Sequence, residues 1–420
     1  LKTKVFQYRK DIPWYPDESE LSPIALRKQA REEGIKVPAS LAKSDDAAQK
    51  FFAEYSAKVP WVAAVRNFRQ ANMMLKKVET LDRGTRDDGT FPYTSVYYGA
   101  NTGRFTAGTG GNNEDSGGKF NLFNLPRGEL QGVDLRGLIV PRKGFKFFVG
   151  DYSQIEFRLL LWRSGDEETL SMIRDQGYHP YEAMAETVLD VPDAKGLKKK
   201  DAKLYSMSKG FSLGCGYQMG GPRFFVQAPI LTANDEHPEL VYRPTLAEAA
   251  AAVALFREKK PKIVNYWHRH QTFLLSSVYN GDPTHSVELA SGRWLTYFDP
   301  TFALTVDEKT GRERKEIVVR QIRGEPHKRI YGGKLTENEM QATGYDILRD
   351  AWAAIADRCR EKDDGSRVVW TLYDEFVAEV PEKTAEEDGA ELAHLMVSSS
   401  PWTKGLPLDV DWKIADRYFK

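Results

Sequence analysis

Two apolar segments of the sequence each lead into an acidic residue, and these acids are the best candidates for chemistry. Residues 145–149 run through one glycine into Asp151, and residues 367–373 run into Asp374 and Glu375. Both segments have the length and apolar character of buried strands. On neighbouring strands, the acids would supply the hard oxygen ligands that Mg²⁺ prefers, and two such ions about 3.5–4 Å apart serve phosphoryl transfer. The spacing does not show that the strands pair, and acids at strand ends also occur as ordinary turn residues.

Length and composition limit the class of protein that can carry this chemistry. The chain has 420 residues, 41% hydrophobic and 12% aromatic, which excludes a largely disordered protein. This length predicts about three domains. The two cysteines exclude a disulfide scaffold and a cysteine-built zinc site, and they are typical of a reducing compartment. The formal net charge is zero, but residues 195–209 hold six lysines and one acid, a stretch that could contact phosphates or be solvated surface.

The elements that must position the acids follow from periodicity and helix breakers. Residues 1–80 read as mainly helical, and Ser22-Pro23 predicts the cap and first position of a helix that ends at Gly34. A helix-rich stretch lies between the two candidate strands, and a strong helical pattern covers residues 337–360. Strands and turns are predicted for residues 294–330. The longest apolar run has eight residues, too few to span a membrane.

The residues around the acids resemble family A DNA polymerases, the relatives of bacterial DNA polymerase I. Asp151-Tyr-Ser-Gln-Ile-Glu-Phe-Arg is similar to motif A of the family, and Leu372-Tyr-Asp-Glu to motif C, where the family usually has His in place of Tyr373. Three more segments resemble the family and stand in its order: Thr102-Gly-Arg, Asn121-Leu-Phe-Asn-Leu-Pro and Gln341-Ala-Thr-Gly-Tyr-Asp. Residues 97–100 and 331–338 are similar to bacteriophage members. The resemblance covers about residues 95–420.

The resemblance implies an α+β, right-hand polymerase fold with an antiparallel palm sheet, helical fingers and a short helical thumb. Residues 1–94 would form the N-terminal, thumb-like helical region, 95–165 the first part of the palm, 166–324 the fingers and 325–420 the second part of the palm. The implied activity is that of a DNA-directed DNA polymerase, which adds dNTPs to a primer 3′-hydroxyl and releases pyrophosphate. Its partners would be primer–template DNA, dNTPs and further replication proteins, with no membrane. The expected location is the cytoplasm, which for a bacteriophage enzyme is the host cytoplasm.

The same resemblance assigns the metal site to the strand-end acids. Asp151 and Asp374 would bind two Mg²⁺ ions, for which Mn²⁺ could substitute, and Glu375 would be an accessory catalytic carboxylate. One ion would activate the primer hydroxyl and the other would hold the triphosphate, both acting electrostatically. The alternative for Glu375 is a solvated acid at the end of a strand.

Four residues would meet the incoming dNTP: Glu156, His179, Lys209 and Tyr217. Glu156 stands at the family's steric gate, stacked against a fingers tyrosine where a ribose 2′-hydroxyl would lie; otherwise it is a surface helix acid. His179 matches a fingers histidine that contacts the triphosphate, or it only begins a helix. Lys209 would meet the triphosphate, and Tyr217 would lie under the nascent base pair.

The segment that carries Lys209 departs from the family pattern. Steps of four residues place Lys209, Leu213 and Tyr217 on one face of a predicted helix. Leu213 replaces an aromatic residue, Gln218 replaces a glycine, and the family's arginine position falls on Tyr205, which cannot act as a cation. The three glycines in this stretch each disfavour a helix by about 1 kcal/mol relative to alanine, so propensity alone predicts a loop. Small residues could instead let a helix lie close to the base pair.

Primer and template contacts fall to Arg104, Asn124, Arg136 and Gln341. Arg104 and Gln341 match family positions in the minor groove, where all base pairs present acceptors in similar places, so pairing is checked without reading sequence. Asn124 and Arg136 would support the same surface or only bond their own loops. Two other functions stay open: a two-metal nuclease that reuses the acids, and a non-catalytic nucleic-acid-binding protein with a degenerate fingers helix.

Overall fold

Two compact units make up the chain. The computed structural model describes residues 1–38, 41, 46–108, 121–126, 128–234, 237–306 and 313–419. The first unit comprises Leu1–Val96, Ala107–Pro141 and Ala415–Lys420, and the second unit comprises Tyr97–Thr106 and Arg142–Ile414. Two short strands, β1 (Ser95–Val96) and β2 (Thr106–Ala107), lie where the chain passes from one unit to the other.

The described part of the first unit contains four α-helices around an apolar core. They are α1 (Lys2–Lys10), α2 (Pro23–Glu32), α3 (Asp46–Tyr55) and α4 (Pro60–Gly84). The Ser22 hydroxyl caps α2 by accepting a hydrogen bond from the Ala25 N–H at 3.2 Å, and a proline follows in the first position, as predicted. Val62 and Phe68, which recur at helical spacing along α4, are buried in one cluster with residues of the other three helices.

The second unit combines strands and helices. Its strands are β3 (Phe145–Tyr152), β4 (Thr284–Glu288), β5 (Trp294–Val306), β6 (Glu313–Arg320), β7 (Lys328–Arg329), β8 (Arg367–Leu372), β9 (Glu375–Pro381) and β10 (Val410–Ala415). Its helices are α5 (Ile155–Ser164), α6 (Glu167–Arg174), α7 (Pro180–Leu189), α8 (Leu197–Lys200), α9 (Ala202–Cys215), α10 (Gly221–Leu231), α11 (Leu246–Lys259), α12 (Pro261–Asn280), α13 (Gly332–Lys362) and α14 (Ala385–Ser398).

These strands form two four-stranded sheets. One has the spatial order β10-β3-β9-β8, in which β9 pairs antiparallel with both β3 and β8. The other has the order β4-β5-β6-β7 and is antiparallel throughout. The two strands predicted to carry the acids therefore belong to one sheet, but they are not neighbours. β9 returns from β8 through a hairpin and lies between them.

One large apolar core joins the first sheet to the helices. Phe148 of β3, Leu160 of α5, Ile347 of α13 and Phe376 of β9 are all fully buried in one cluster. Because only two residues separate β3 from α5, the sheet and this core together fix the direction in which the first turn of α5 points. Among the described residues, none of the helices combines the length and the apolarity needed to cross a bilayer.

Candidate active site

The β8–β9 hairpin brings the predicted acids to one edge of the first sheet. Asp151 lies opposite Glu375 in the β3–β9 register. Cα atoms of such antiparallel partners lie about 4.5–5.5 Å apart. The N–H of Tyr152 donates a hydrogen bond to the carbonyl oxygen of Asp374 at 3.2 Å. The fold thus places Asp151, Asp374 and Glu375 together although they are far apart in the sequence.

The turn that carries Asp374 is held in an unusual conformation. Tyr373 and Asp374 are the two residues between β8 and β9, and Tyr373 has a φ of +57°. This left-handed region is disfavoured for a bulky side chain, so the pairing of β8 with β9 must hold the turn in place. Asp151 and Asp374 are half-buried, whereas Glu375 is only 1% exposed. The alternative of a solvated strand-end acid is therefore wrong for Glu375.

The donor set at this edge suits a hard divalent cation. Among the described residues, no group of three or more His, Cys, Asp or Glu side chains forms a preformed metal cage. Mg²⁺ usually takes only one or two protein carboxylates and completes its shell with substrate phosphates and water. Asp151 and Asp374 are half-buried at one sheet edge, where a main-chain bond joins Tyr152 to Asp374, and they could supply these two carboxylates.

Glu156 projects from the first turn of α5 and is paired with Arg104. The Arg104 guanidinium lies 2.5 Å from the Glu156 carboxylate, and their side chains are 16% and 32% exposed. The Tyr217 hydroxyl lies 3.4 Å from the backbone carbonyl oxygen of Glu156, to which it donates. Burial first, and then the carboxylates of Glu156 and Glu337, raise the pKa of Tyr217 well above its ordinary value, so this hydroxyl stays protonated as a donor. Arg104, predicted to contact the primer or template, therefore lies in one group with Glu156 and Tyr217, which were predicted to meet the dNTP.

Arg158 fixes the connection between Asp151 and Glu156. Its guanidinium donates to the carbonyl oxygens of Ser153 at 2.8 Å and Pro407 at 2.9 Å, and it is nearly fully buried. Because the Ser153 bond spans the β3–α5 turn, Arg158 holds the distance between the sheet edge and the first turn of α5, and the Pro407 bond ties this turn to the segment before β10.

Lys209 and Tyr217 do not lie on one helix. Lys209 is half-buried inside α9, which Asp201 caps by accepting from the Leu204 N–H at 3.0 Å, but α9 ends at Cys215. Tyr217 lies in the turn that follows. The expectation that its side chain shares a helical face with Lys209 is therefore wrong. Beyond Cys215, the indole N–H of Trp267 donates to the Gly216 carbonyl oxygen at 2.8 Å, and the φ of +64° at residue 218 takes the chain out of the helical path.

The glycines of α9 allow another helix to approach. A Cβ atom on Gly214 would lie 2.7 Å from the ring of Phe224 in α10, and one on Gly210 would lie 3.3 Å from the Thr232 side chain at the end of α10. Tertiary packing of this kind outweighs the low helical propensity of the segment. The propensity-based loop is therefore wrong, and α10 packs against Gly210 and Gly214.

His179 begins a helix, and its predicted contact with the triphosphate stays a prediction. Its Nδ1 accepts a hydrogen bond from the Tyr181 N–H at 3.2 Å, and Glu182 accepts from the His179 N–H at 3.2 Å, which together cap α7. Burial, with help from the cations Arg158 and Lys198, lowers the pKa of His179 to about 4. The ring is therefore neutral near pH 7, and with Nδ1 accepting, its proton is on Nε2. The Tyr205 hydroxyl lies 3.4 Å from Nδ1 and 3.5 Å from Nε2.

Arg293 organises the segment that carries Arg104, and sequence analysis did not single it out. Its guanidinium donates to the carboxylate of Asp346 in α13 at 2.9 Å and to the carbonyl oxygen of Thr102 at 3.0 Å. Ser291 adds a 2.5 Å hydrogen bond to the same carboxylate. One signal in the sequence pointed to such a partner: Asp346 lies within a strongly apolar helical pattern, and a buried acid requires a cation or donors.

Gln341 faces partly toward solvent on α13. Its amide lies 3.3 Å from the Glu337 carboxylate, which also binds Lys334 at 2.8 Å. Gln341 lies one helical turn after Glu337, on the helix that also carries Asp346. Arg293 therefore links the helix of Gln341 to the segment of Arg104, the two residues predicted to meet the minor groove.

A cavity of about 910 Å³ opens beside Tyr217. Of the four described residues predicted to meet the dNTP, Glu156 and Tyr217 line it, whereas His179 and Lys209 do not. The cavity is rich in cations: Arg223, Arg257, Arg329 and Lys334. The predicted dNTP residues thus fall into two groups, one at the cavity and one around α9 and the start of α7.

Asn124 and Arg136 belong to the first unit. Arg136 is nearly buried, and it donates to the carbonyl oxygens of Leu125 and Pro126, both at 3.2 Å, and to the Tyr418 hydroxyl at 2.9 Å. Lys77 donates to the Asn124 carbonyl oxygen at 3.1 Å. The Arg136 side chain therefore stabilises the loop around it, whereas the bond at Asn124 involves only its main chain, and the predicted contacts of both residues with DNA stay predictions.

The fold defined by this sheet and these helices is that of a polymerase domain. The chain superposes on the POL domain of Pol1 from M. smegmatis, solved in complex with DNA primer-template and dNTP, with a TM-score of 0.70. The match covers 99% of this chain and 64% of that chain at 17% sequence identity. The predicted α+β, right-hand polymerase fold is confirmed.

Sequence relatives then give the family. The chain is 31% identical over 325 residues to a DNA polymerase of Bacillus phage SP02, covering 72% of this chain and 46% of the relative. It is 25% identical to DNA polymerase I of Pseudomonas aeruginosa over 300 residues and to the thermostable DNA polymerase I of Thermus filiformis over 296 residues. The matches cover 69% and 70% of this chain but only 27% and 30% of those relatives. No family model matches the chain. The chain belongs to the DNA polymerase I family, with a bacteriophage enzyme among its relatives, and it spans less than half the length of these curated relatives.

Proposed function

We propose that the chain is a DNA-directed DNA polymerase that adds dNTPs to a primer 3′-hydroxyl on a template and releases pyrophosphate. The observation that carries the proposal is the meeting of Asp151, Asp374 and Glu375 at one sheet edge, through the β3–β9 register. The Glu156–Arg104–Tyr217 group supports it, because a two-metal nuclease or a non-catalytic binder leaves that group without a role. The palm, fingers and thumb boundaries given above stay predictions.

Asp151 and Asp374 would hold two Mg²⁺ ions, or Mn²⁺ in their place, and Glu375 would support them from its buried position. When bound, these ions would lower the pKa of the primer hydroxyl and neutralise charge on the departing pyrophosphate. The two aspartates are half-buried, so their charge acts in a medium less polar than water and is screened less by solvent.

The other predicted residues would orient the reactants. Lys209 would pair with the triphosphate, and the neutral His179 ring would donate to it from Nε2. Tyr217 and Glu156 would close the sugar site, because a ribose 2′-hydroxyl there would clash and lose its hydrogen bonds. Replacement of the family's arginine by Tyr205 leaves Lys209 as the cation that this segment of α9 offers to the triphosphate.

Contacts with DNA would come from Arg104 and Gln341 in the minor groove, with Asn124 and Arg136 holding a supporting loop. The partners would be primer–template DNA, dNTPs and further replication proteins. The expected place of action is the cytoplasm, that of the host for a bacteriophage enzyme.

Primer extension with Mg²⁺ and dNTPs tests the proposal. The chain should lengthen a labelled primer on a template, and Asp151→Asn should abolish extension while a gel shift still shows DNA binding. Glu382→Gln is the matched control, because Glu382 follows β9 at the opposite end of the same sheet and is 59% exposed. This variant should extend normally.

Each contrary result has its own meaning. Shortening of the primer would show a nuclease, and a gel shift without extension or shortening would show a non-catalytic binder. Loss of the fold in Asp151→Asn, seen by circular dichroism, would make Asp151 a folding residue.

A further inference from the structure

The turn that carries Tyr217 is anchored to the start of α13 by Gln218. The Gln218 side-chain oxygen accepts a hydrogen bond from the backbone N–H of Gly333 at 2.9 Å. Gly333 is the second residue of α13, and its N–H is one of the helix donors that has no partner within the helix itself. Gln218 thus acts as a helix cap supplied by a distant segment.

The approach of the two segments is close enough to require glycine. A Cβ atom on Gly333 would lie 2.5 Å from the carbonyl oxygen of Tyr217. Trp267 of α12 holds the other side of the turn, because its indole N–H donates to the Gly216 carbonyl oxygen at 2.8 Å and is buried. The main chain on both sides of Tyr217 is therefore fixed to other elements.

The conformation of Gln218 is unfavourable for its residue type. Its φ of +64° lies in the left-handed region, which glycine adopts readily and glutamine does not. The DNA polymerase family resembled here has glycine at this position. A glutamine in this place carries a backbone penalty that glycine would not, and the bond to Gly333 offsets it.

We infer that Gln218 is a positioning residue for sugar selection in this chain. The inference rests on the proposed polymerase function and deepens it. Tyr217 is held at its hydroxyl end by the Glu156 carbonyl oxygen and at its main-chain end by the Gln218–Gly333 bond. Removal of the Gln218 amide frees the main-chain end, so the tyrosine can move away from the position that excludes a 2′-hydroxyl.

A second glutamine provides a matched control. Gln271 of α12 caps the neighbouring donor, the N–H of Gly332, at 2.8 Å. The two bonds are alike in length and in the helix end they cap, but Gln271 is not adjacent to Tyr217 in the chain. The inference predicts that only Gln218 affects the selection of dNTP over rNTP, whereas both glutamines contribute to the stability of the fold.

The experiment compares single-nucleotide incorporation of a dNTP and the matching rNTP by the full chain. Gln218→Gly should raise the KM for the dNTP and reduce the dNTP/rNTP ratio of kcat/KM about three- to tenfold, a modest change because Tyr217 keeps its hydroxyl contact. Its melting temperature should stay at or above that of Gln271→Ala, since glycine relieves the backbone penalty. Gln271→Ala should keep the selection ratio of the wild type, and Gln218→Glu, which retains an acceptor oxygen, should keep most of it.

The outcomes distinguish failure of this inference from failure of the proposed polymerase function. Selection unchanged in Gln218→Gly, or changed equally in Gln271→Ala, overturns the positioning role while polymerase activity stands. A wild-type chain that does not extend a primer overturns the proposed function and this inference with it.

Discussion

Replacement of Arg293 by methionine should destabilise the second unit strongly. The carboxylate of Asp346 is fully buried, and Arg293 is its nearest cation, at 2.9 Å. Removal of one partner of a buried pair leaves an uncompensated charge and costs about 3–5 kcal/mol. Methionine keeps most of the side-chain volume, so the loss measures the charge rather than a cavity.

The other cation near Asp346 supplies the control. Arg349 lies 3.4 Å from the same carboxylate but is 40% exposed, so solvent screens the pair. Exposed pairs contribute about 0–1 kcal/mol, and Arg349→Met should therefore cost no more than that. The double variant Arg293→Met with Asp346→Leu removes both buried charges and should recover most of the stability lost in the single variant.

Urea unfolding followed by circular dichroism measures these differences as shifts of the transition midpoint. Activity offers a second readout, because Arg293 also binds the Thr102 carbonyl oxygen and so holds the segment of Arg104. At urea concentrations too low to unfold Arg293→Met, the KM of this variant for primer–template should be higher than that of the wild type. Equal and small losses for Arg293→Met and Arg349→Met would refute the reasoning.

Three further outcomes follow from individual side chains. Glu156→Ala should reduce selection against rNTPs by roughly ten- to a few hundredfold, as expected for a lost steric contact of about 1–3 kcal/mol, in an assay of incorporation kinetics; unchanged selection would remove the gate assignment. The pKa of His179, held at about 4, lies below that of the unfolded chain, so unfolded molecules bind the proton first and the free energy of unfolding should fall as pH drops from about 6.5 to about 4. In urea titrations at several pH values His179→Asn, which keeps a capping oxygen, should flatten this slope. His285, whose pKa is also about 4, should keep part of it, and carboxyl groups with a lowered pKa, such as Glu339 and Asp388, should add to it near the acid end. Gly214→Ala should cost about 1–3 kcal/mol by forcing α9 away from an aromatic ring of α10, whereas Gly220→Ala, which meets nothing within 4 Å, should not, and equal melting temperatures would contradict this.

Local patterns predicted the elements well where the signal depends on neighbours in the chain. The cap at Ser22 and the two apolar strands ending near Asp151 and Asp374 follow from residue type and periodicity. The end of α9 did not follow, because steps of four residues continue through Tyr217, whereas the helix ends at Cys215 and a tertiary bond from Trp267 holds the chain beyond it. Periodicity shows which side chains could share a helical face, but it does not show where a helix ends beside a distant part of the chain.

The sequence by itself determined which residue types could do the chemistry and which family their motifs resemble. Both properties can be recognised in short segments that follow one another in a fixed order along the chain. Only the tertiary structure decided that β9 lies between the two strands, that Glu375 is buried, and that Arg104 pairs with Glu156. It also revealed the bonds that Arg293 makes with Asp346 and that Gln218 makes with Gly333. These facts concern pairs of groups distant along the chain, and their free energies depend on burial and distance, which exist only once the core has packed.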